Sequence, residues 1–135
     1  MKEELTEETK IALSKYRIDR AKATISEIEM LKNAGYYSTA INRMYYACYY
    51  AASALLGRIG VVPTSHAGVK QQLGMLFIVN GKISKELGRY YSILFERRHS
   101  SDYDDFVFTG VDEVNELLPK AQEFIDATIK LLETY

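Results

Sequence analysis

Apolar residues recur every three or four positions over most of the chain, a spacing that places them on one face of an α-helix. The first such stripe follows Thr6, an expected N-cap with acidic residues behind it, and Asn33-Ala34-Gly35 is expected to end it. We therefore predict one long first helix with a single core-facing side. Its inward positions are Ile11, Ile18, Ala21, Ile25 and Ile28.

A second helix, predicted from about Tyr37 to Leu56, is apolar or aromatic on nearly every side. Such a helix belongs in the middle of a bundle, because no face of it favours water. The single cysteine, Cys48, lies in this run and is expected to be a small core residue rather than a nucleophile.

The next two helices are predicted from their start and stop signals. Thr64 or Ser65 can cap a short third helix, which Asn80-Gly81 stops. Ser84 can cap a fourth, and between residues 82 and 99 this helix carries five basic residues against two acidic ones. Such a basic stripe could meet RNA phosphate or an acidic protein surface.

A fifth helix is expected to begin with a capping box at Thr109 to Asp112, and Pro119 should kink or interrupt it. No segment of alternating β-branched residues is present. We predict an all-α, up-and-down bundle of about five helices, forming a single domain over residues 1–135.

Composition narrows the function classes only slightly. The chain of 135 residues is 47% hydrophobic and 26% charged, with a formal net charge of −1, so any affinity for nucleic acid must come from a local patch. The N-terminus is acidic and has no apolar core of a signal peptide, and no apolar run reaches the about 18 residues of a membrane span. A cytoplasmic protein is expected.

The most charged stretch is FERRHSSDYDDF, from Phe95 to Phe106, and charges this dense either assemble a site or end a helix. Arg98 and Asp102 can form an ion pair one turn apart if the helix continues, whereas Asp102 can accept backbone hydrogen bonds if it ends. His99 suits the C-terminal end of a helix as a cation. Acids in a loop are usually solvated, and the histidines and the cysteine lie far apart, so no metal site is predicted.

Tyrosines dominate the second helix, where Tyr45, Tyr46, Tyr49 and Tyr50 form pairs four residues apart. Tyr46 shares a face with Asn42 and Arg43. This polar face has two interpretations: it ties the bundle together by hydrogen bonds, or it lines a cleft with Arg97 and Arg98. His66, at the start of the third helix, is expected to be a buried, hydrogen-bonded structural residue.

Several segments together resemble a known family. GYYSTAINRMYYACYYAASALL (Gly35 to Leu56) resembles the second helix of the HEPN domain family, the higher-eukaryote and prokaryote nucleotide-binding domains. SHAGVKQQLG, GKISKELGR and RHSSDYDDF follow in the order expected of the small stand-alone members. The likeness covers roughly Tyr16 to Leu132.

The resemblance implies an all-helical bundle that dimerises. Many HEPN members act as metal-independent ribonucleases, often as the toxin of a toxin–antitoxin pair, and small ones are commonly partnered with a minimal nucleotidyltransferase. The catalytic signature of the family is an arginine followed four to six residues later by a histidine, helped by an asparagine or aspartate on an earlier helix. In dimers the two copies of this site face each other.

Only part of that signature carries over to this chain. Arg97 or Arg98 offers the arginine and Asn42 the polar position, but residues 102–105 contain no histidine and His99 is too close to Arg98. The catalytic candidates are Arg98, Arg97 and His99. The ligand-binding candidates are Asn42, Arg43, Tyr46, Asp102 and Tyr103, with no metal or cofactor.

Three functions follow from these residues. The favoured one is a homodimeric HEPN module that interacts with nucleotide or RNA, works with a minimal nucleotidyltransferase partner and has a degenerate catalytic motif. The alternatives are a metal-independent ribonuclease toxin with a displaced histidine and a purely structural helical adaptor. An imidazole is the usual proton carrier at neutral pH, so its absence from residues 102–105 argues against efficient RNA cleavage.

Overall fold

The fold is known from a computed structural model, which describes residues 5–103 and 109–135, and only the backbone of residues 99–103. Helices account for nearly all of these residues, and none of them is in a β-strand. The prediction of an all-α bundle is confirmed. The helices are α1 (Glu7–Ser26), α2 (Ile28–Asn33), α3 (Tyr37–Arg58), α4 (His66–Leu73), α5 (Lys85–Tyr103) and α6 (Val111–Leu132), with a π-helical segment at Gly74–Ile78 after α4.

The first predicted helix is broken into α1 and α2 at Glu27. The start is as expected, since the Thr6 hydroxyl accepts a hydrogen bond from the Thr9 N–H at 3.1 Å. At the break the Glu27 N–H bonds the Thr24 carbonyl, three residues back, which tightens the last turn. Gly35 then ends α2 with a φ of +83°, a conformation that few other residues adopt cheaply.

Helix α3 lies at the centre and packs against α1, α2, α4, α5 and α6. Its alanines Ala40, Ala47 and Ala51 are fully buried, so neighbouring helices can approach its backbone closely. Cys48 is also fully buried, as predicted for a core residue. Because the other helices surround α3, its larger side chains fill the spaces between them.

Helices α4 and α5 start where their caps were predicted. The Ser65 hydroxyl accepts from the Gly68 N–H at 2.9 Å, and the Ser84 hydroxyl accepts from the Leu87 N–H at 3.1 Å. Gly88 allows close contact with the π-helical segment, because a Cβ atom there would come within 2.6 Å of the Ile78 side chain.

One expectation about α6, the capping box at Thr109 to Asp112, is wrong. Its N-cap is Gly110, with no side-chain capping bond, because the Thr109 hydroxyl accepts a hydrogen bond from Arg97 instead. Pro119 does not interrupt the helix, which runs from Val111 to Leu132. A proline removes only one backbone hydrogen bond, and the buried core face of α6 holds the helix together on both sides of it. In the part of the chain that the structure describes, no helix is both long and apolar enough to cross a bilayer.

Candidate functional site

The two adjacent arginines of α5 have different environments, and Arg97 belongs to the scaffold. Its Nε donates to Glu113 Oε1 at 2.7 Å, and its Nη2 donates to Glu113 Oε2 at 3.0 Å and to the Thr109 hydroxyl. Its side chain is only 13% exposed. A bidentate arginine–carboxylate pair of this kind is geometrically specific, so Arg97 fastens α5 to the start of α6 and its charge is neutralised there.

Arg98 lies against the tyrosines of α3. Its guanidinium carbon is 5.3 Å from the centre of the Tyr45 ring, and its Nη1 is 3.5 Å from the Tyr46 hydroxyl. Its Nε is buried and has no hydrogen-bond partner in the described part of the chain, where no carboxylate forms an ion pair with Arg98 either. Arg98 therefore presents a positive charge that the described part of the fold does not neutralise.

His66, the first residue of α4, lies in the same place. Its Nδ1 is 2.8 Å from the Tyr45 hydroxyl, and its ring stacks on Tyr49 with a centroid distance of 4.3 Å and an interplanar angle of 22°. Burial lowers the pKa of His66, and the Arg98 charge lowers it further. The imidazole is thus neutral at neutral pH. We call Tyr45, Tyr46, Tyr49, His66 and Arg98 the Arg98–His66 cluster.

Tyr45 is the centre of this cluster, because both His66 and Arg98 contact it. Burial raises the pKa of Tyr45 to about 12, so its phenol keeps its proton at any physiological pH. Tyr91 packs behind it with ring centroids 5.9 Å apart, and burial raises the pKa of the Tyr91 phenol as well. The inner side of the cluster therefore consists of uncharged tyrosine side chains.

The remaining predicted site residues are only partly brought together. Arg43 Nε donates to the Glu27 carboxylate at 3.3 Å, and the Arg43 guanidinium carbon is 5.9 Å from the Tyr46 ring centre, so Arg43 touches the cluster while its charge is paired. Asn42 is half-buried and makes no side-chain hydrogen bond to a described residue. Helix α5 continues to Tyr103, so the backbones of Arg98 and Asp102 are one helical turn apart. The side chains of His99, Asp102 and Tyr103 lie outside what the structure describes.

His66 is the residue whose position the sequence did not indicate. Its predicted hydrogen bond exists, but its closeness to Arg98 was not expected. His66 and its partner Tyr45 are 21 residues apart along the chain, and no local spacing rule relates them. Only the packing of α4 across the tyrosine face of α3 brings His66 to α5.

A groove that is lined mainly by apolar residues and carries three basic ones adjoins the cluster. It has a volume of about 670 Å³ and lies between α4, the π-helical segment and α5, with Lys70, Lys85 and Arg89 on its lining. Phe95 and Tyr91 also line it, and the Phe95 ring is 6.2 Å from that of Tyr45. None of the residues that line the groove is acidic. A polyanion in the groove would therefore meet Lys70, Lys85 and Arg89, while Arg98 is not among the residues that line it.

The described residues contain no group of three or more histidine, cysteine or carboxylate side chains suited to hold a metal ion. Cys48 is remote from solvent, and burial raises the pKa of its thiol, so it has no role as a nucleophile in this cluster.

The fold is an all-helical domain in which Arg98 and His66 lie against the same tyrosines of α3. A family model for the HEPN domain matches residues 14–132, and the chain belongs to that family. The chain is 36% identical over 114 residues to a "UPF0332 protein" of Thermotoga maritima, covering 84% of this chain and 86% of that relative.

Two relatives come from Methanocaldococcus jannaschii. The chain is 30% identical over 115 residues to "Putative toxin MJ0142", covering 85% of this chain and 78% of the relative. It is also 30% identical over 116 residues to "Putative toxin MJ0605", covering 86% of each chain. The family resemblance predicted from the sequence is confirmed.

Proposed function

We propose that this chain is the toxin-like HEPN module of a two-component system and that it binds RNA or nucleotide phosphate at Arg98. The observation that carries the proposal is the environment of Arg98, a half-buried guanidinium with no described carboxylate partner. The names of the two Methanocaldococcus relatives support the toxin-like role.

The physical argument begins with the cost of burying a charge. A cation that is partly removed from water is stabilised when an anion completes its environment. A guanidinium presents several N–H donors in one plane, which suits the oxygens of a phosphate group. The phenol of Tyr45 and the imidazole of His66 are uncharged, so they do not form an ion pair with Arg98 and do not repel a phosphate that binds there.

RNA is a better match for the surroundings than a small anion. The groove beside the cluster offers Lys70, Lys85 and Arg89 to further phosphates along a strand. The half-buried ring of Tyr46 provides aromatic surface on which a base can stack. Single-stranded RNA can use both features at once, because its bases are not held in a duplex.

The proposal also covers the oligomeric state of the chain and its partner protein. Following the family resemblance, we propose that the chain acts as a cytoplasmic, single-domain homodimer with the two clusters facing each other, and that a minimal nucleotidyltransferase is its partner. Sedimentation equilibrium should then give the mass of two chains. Co-expression with a nucleotidyltransferase encoded beside it should yield a complex that copurifies, and a monomer with no such complex would contradict this part.

Phosphate binding at Arg98 can be tested with a fluorescent single-stranded RNA oligonucleotide and purified full-length protein. Arg98→Ala should weaken binding about 10- to 100-fold, the value of one or two charged hydrogen bonds. Arg58→Ala is the matched control, because it removes the same charge from a residue that is paired with Glu7 at 3.0 Å, outside the cluster.

Unchanged binding by Arg98→Ala, or an equal loss in Arg58→Ala, would contradict the assignment to Arg98. A chain that binds neither RNA nor free nucleotide and has no copurifying partner would instead be a structural helical adaptor.

A further inference from the structure

We propose that His66 is the proton-transfer residue of the Arg98–His66 cluster and takes the place of the histidine that residues 102–105 lack. The inference rests on the proposed function, since it requires RNA to bind at Arg98. The proton-transferring histidine would then be on α4, whereas the family signature predicts it on α5. With it, the cluster becomes competent to cleave RNA rather than only to bind it.

The first argument is proximity. His66 and Arg98 contact the same two tyrosines from different helices. Tyr45 lies 5.8 Å from the His66 ring, centre to centre, and its ring centre lies 5.3 Å from the Arg98 guanidinium carbon. Tyr46 has its ring edge-to-face with His66 at 5.7 Å and its hydroxyl 3.5 Å from Arg98 Nη1. A phosphate on Arg98 would therefore be within reach of the imidazole.

The second argument is orientation. The contact of Nδ1 with the Tyr45 hydroxyl and the stacking on Tyr49 fix the imidazole ring on two sides. The ring nitrogen that remains is Nε2, which makes no hydrogen bond to any described residue. When Nδ1–H donates to the Tyr45 oxygen, Nε2 carries the lone pair that accepts a proton. The His66 ring is half-buried, so its free edge can be reached from solvent.

The third argument is the charge state. Among the described residues, the groups that face His66 are Tyr45, Tyr46 and Tyr49 from α3 and Arg98 from α5, with Lys70 one turn along its own helix. None of them is an acid that would hold the imidazole in its protonated form. His66 is therefore a free base at neutral pH, as proton abstraction requires.

The reaction that this arrangement supports is an intramolecular transesterification of RNA. The 2′-hydroxyl loses its proton to His66 Nε2, its oxygen forms a bond to phosphorus, and the bond from phosphorus to the 5′-oxygen breaks. The leaving 5′-oxygen takes a proton from solvent, and the imidazolium returns its proton to solvent. The products are a 2′,3′-cyclic phosphate and a 5′-hydroxyl. Arg98 would stabilise the charge that develops on the phosphoryl oxygens.

The test uses the full-length protein and an end-labelled single-stranded RNA, with the all-deoxy strand as a control that lacks the nucleophile. His66→Asn is the informative variant, because an amide can keep a hydrogen bond to Tyr45 but cannot carry a proton at neutral pH. It should bind RNA as tightly as the unaltered chain and cleave it about 10²- to 10⁴-fold more slowly. Arg58→Ala, which lies outside the cluster, is the control that should cleave normally, and His99→Ala tests the competing assignment of the proton transfer to α5.

Two further readouts separate catalysis from folding. Mass spectrometry of the products should show cyclic phosphate ends, and thermal melting should show that His66→Asn folds. The NMR titration of the His66 imidazole protons should give a pKa below the usual 6.5, and Arg98→Gln should raise this pKa. The value of kcat/KM, which reports the free enzyme, should fall as the pH drops through the same midpoint, because protonation removes the base.

The outcomes distinguish the two proposals. An unaltered chain that binds RNA but does not cleave it overturns the role of His66 and leaves the binding proposal intact. Cleavage that persists in His66→Asn, or that is lost in His99→Ala instead, also overturns the role of His66. A chain that neither binds nor cleaves RNA overturns both.

Discussion

Substitution of the two adjacent arginines should separate stability from function. Arg97→Ala removes two hydrogen bonds to Glu113 and leaves that carboxylate, only 34% exposed, without the guanidinium. Charged hydrogen bonds contribute about 1.5–3 kcal/mol each, and pairs that are partly exposed give less, so we expect a loss of about 2–3 kcal/mol in the free energy of unfolding. Arg98→Ala gives up a contact with the Tyr45 ring worth about 0.5–2 kcal/mol but also removes a half-buried cation without a described partner. Its net effect should be within about 1 kcal/mol.

Thermal unfolding followed by circular dichroism measures this contrast. Globular proteins unfold with an entropy of about 2.1 cal/mol/K per residue, about 0.28 kcal/mol/K for a chain of 135 residues. Arg97→Ala should then lower Tm by about 7–11 °C, and Arg98→Ala should change it by less than about 4 °C. RNA binding, measured well below both melting temperatures, should be about 10- to 100-fold weaker in Arg98→Ala and unchanged in Arg97→Ala.

A double-mutant cycle makes the prediction sharper. Glu113→Gln should cost stability in the unaltered chain and much less in the Arg97→Ala background, because the interaction it removes is already gone. If Arg97→Ala leaves Tm unchanged and abolishes RNA binding, the assignment of the scaffold role to Arg97 and of the ligand role to Arg98 is wrong.

Three further predictions concern the surroundings of the cluster. Tyr45→Phe should lower the free energy of unfolding by about 1–2 kcal/mol in denaturant titrations, because His66 Nδ1 loses its partner; no change would mean that the bond adds nothing to the fold. Gly88→Ala should destabilise the unaltered chain, since the new Cβ would lie 2.6 Å from the Ile78 side chain, and should stabilise the Ile78→Ala background by about 1 kcal/mol through helix propensity. The Cys48 thiol should not react with a colorimetric disulfide reagent until the chain is unfolded, because it is fully buried and burial raises its pKa; rapid labelling of the folded protein would contradict this.

The helices could be predicted because their signals are local. Thr6, Ser65 and Ser84 each cap the helix that follows, and each bond spans only three residues. The capping box at Thr109 failed for the opposite reason. Its hydroxyl had a second possible partner, Arg97, twelve residues away along the chain, and that contact exists only once α5 and α6 have packed together.

The site was harder to predict than the fold, although one signal was available. Arg98 follows Leu94 by four residues and Tyr91 by seven, so it continues the buried face of α5. That spacing favours Arg98 over Arg97 as the arginine that meets α3. Nothing comparable was available for His66, because the rotation of α4 against α3 depends on packing and not on the spacing within either helix.

The pairing of Arg98 with His66 has a consequence for how binding and proton transfer are coupled. The Arg98 charge is one cause of the lowered pKa of His66, and a phosphate bound to Arg98 would offset that charge. The pKa of His66 should therefore rise when an anion binds, which makes the imidazole a better proton acceptor at the moment when substrate is present. By linkage, the affinity for a non-cleavable deoxy strand should increase as the pH falls through this pKa in the unaltered chain, and it should do so much less in His66→Asn. An NMR titration of His66 with and without the deoxy strand measures the shift directly, and an unchanged pKa would show that the bound phosphate does not lie beside the imidazole.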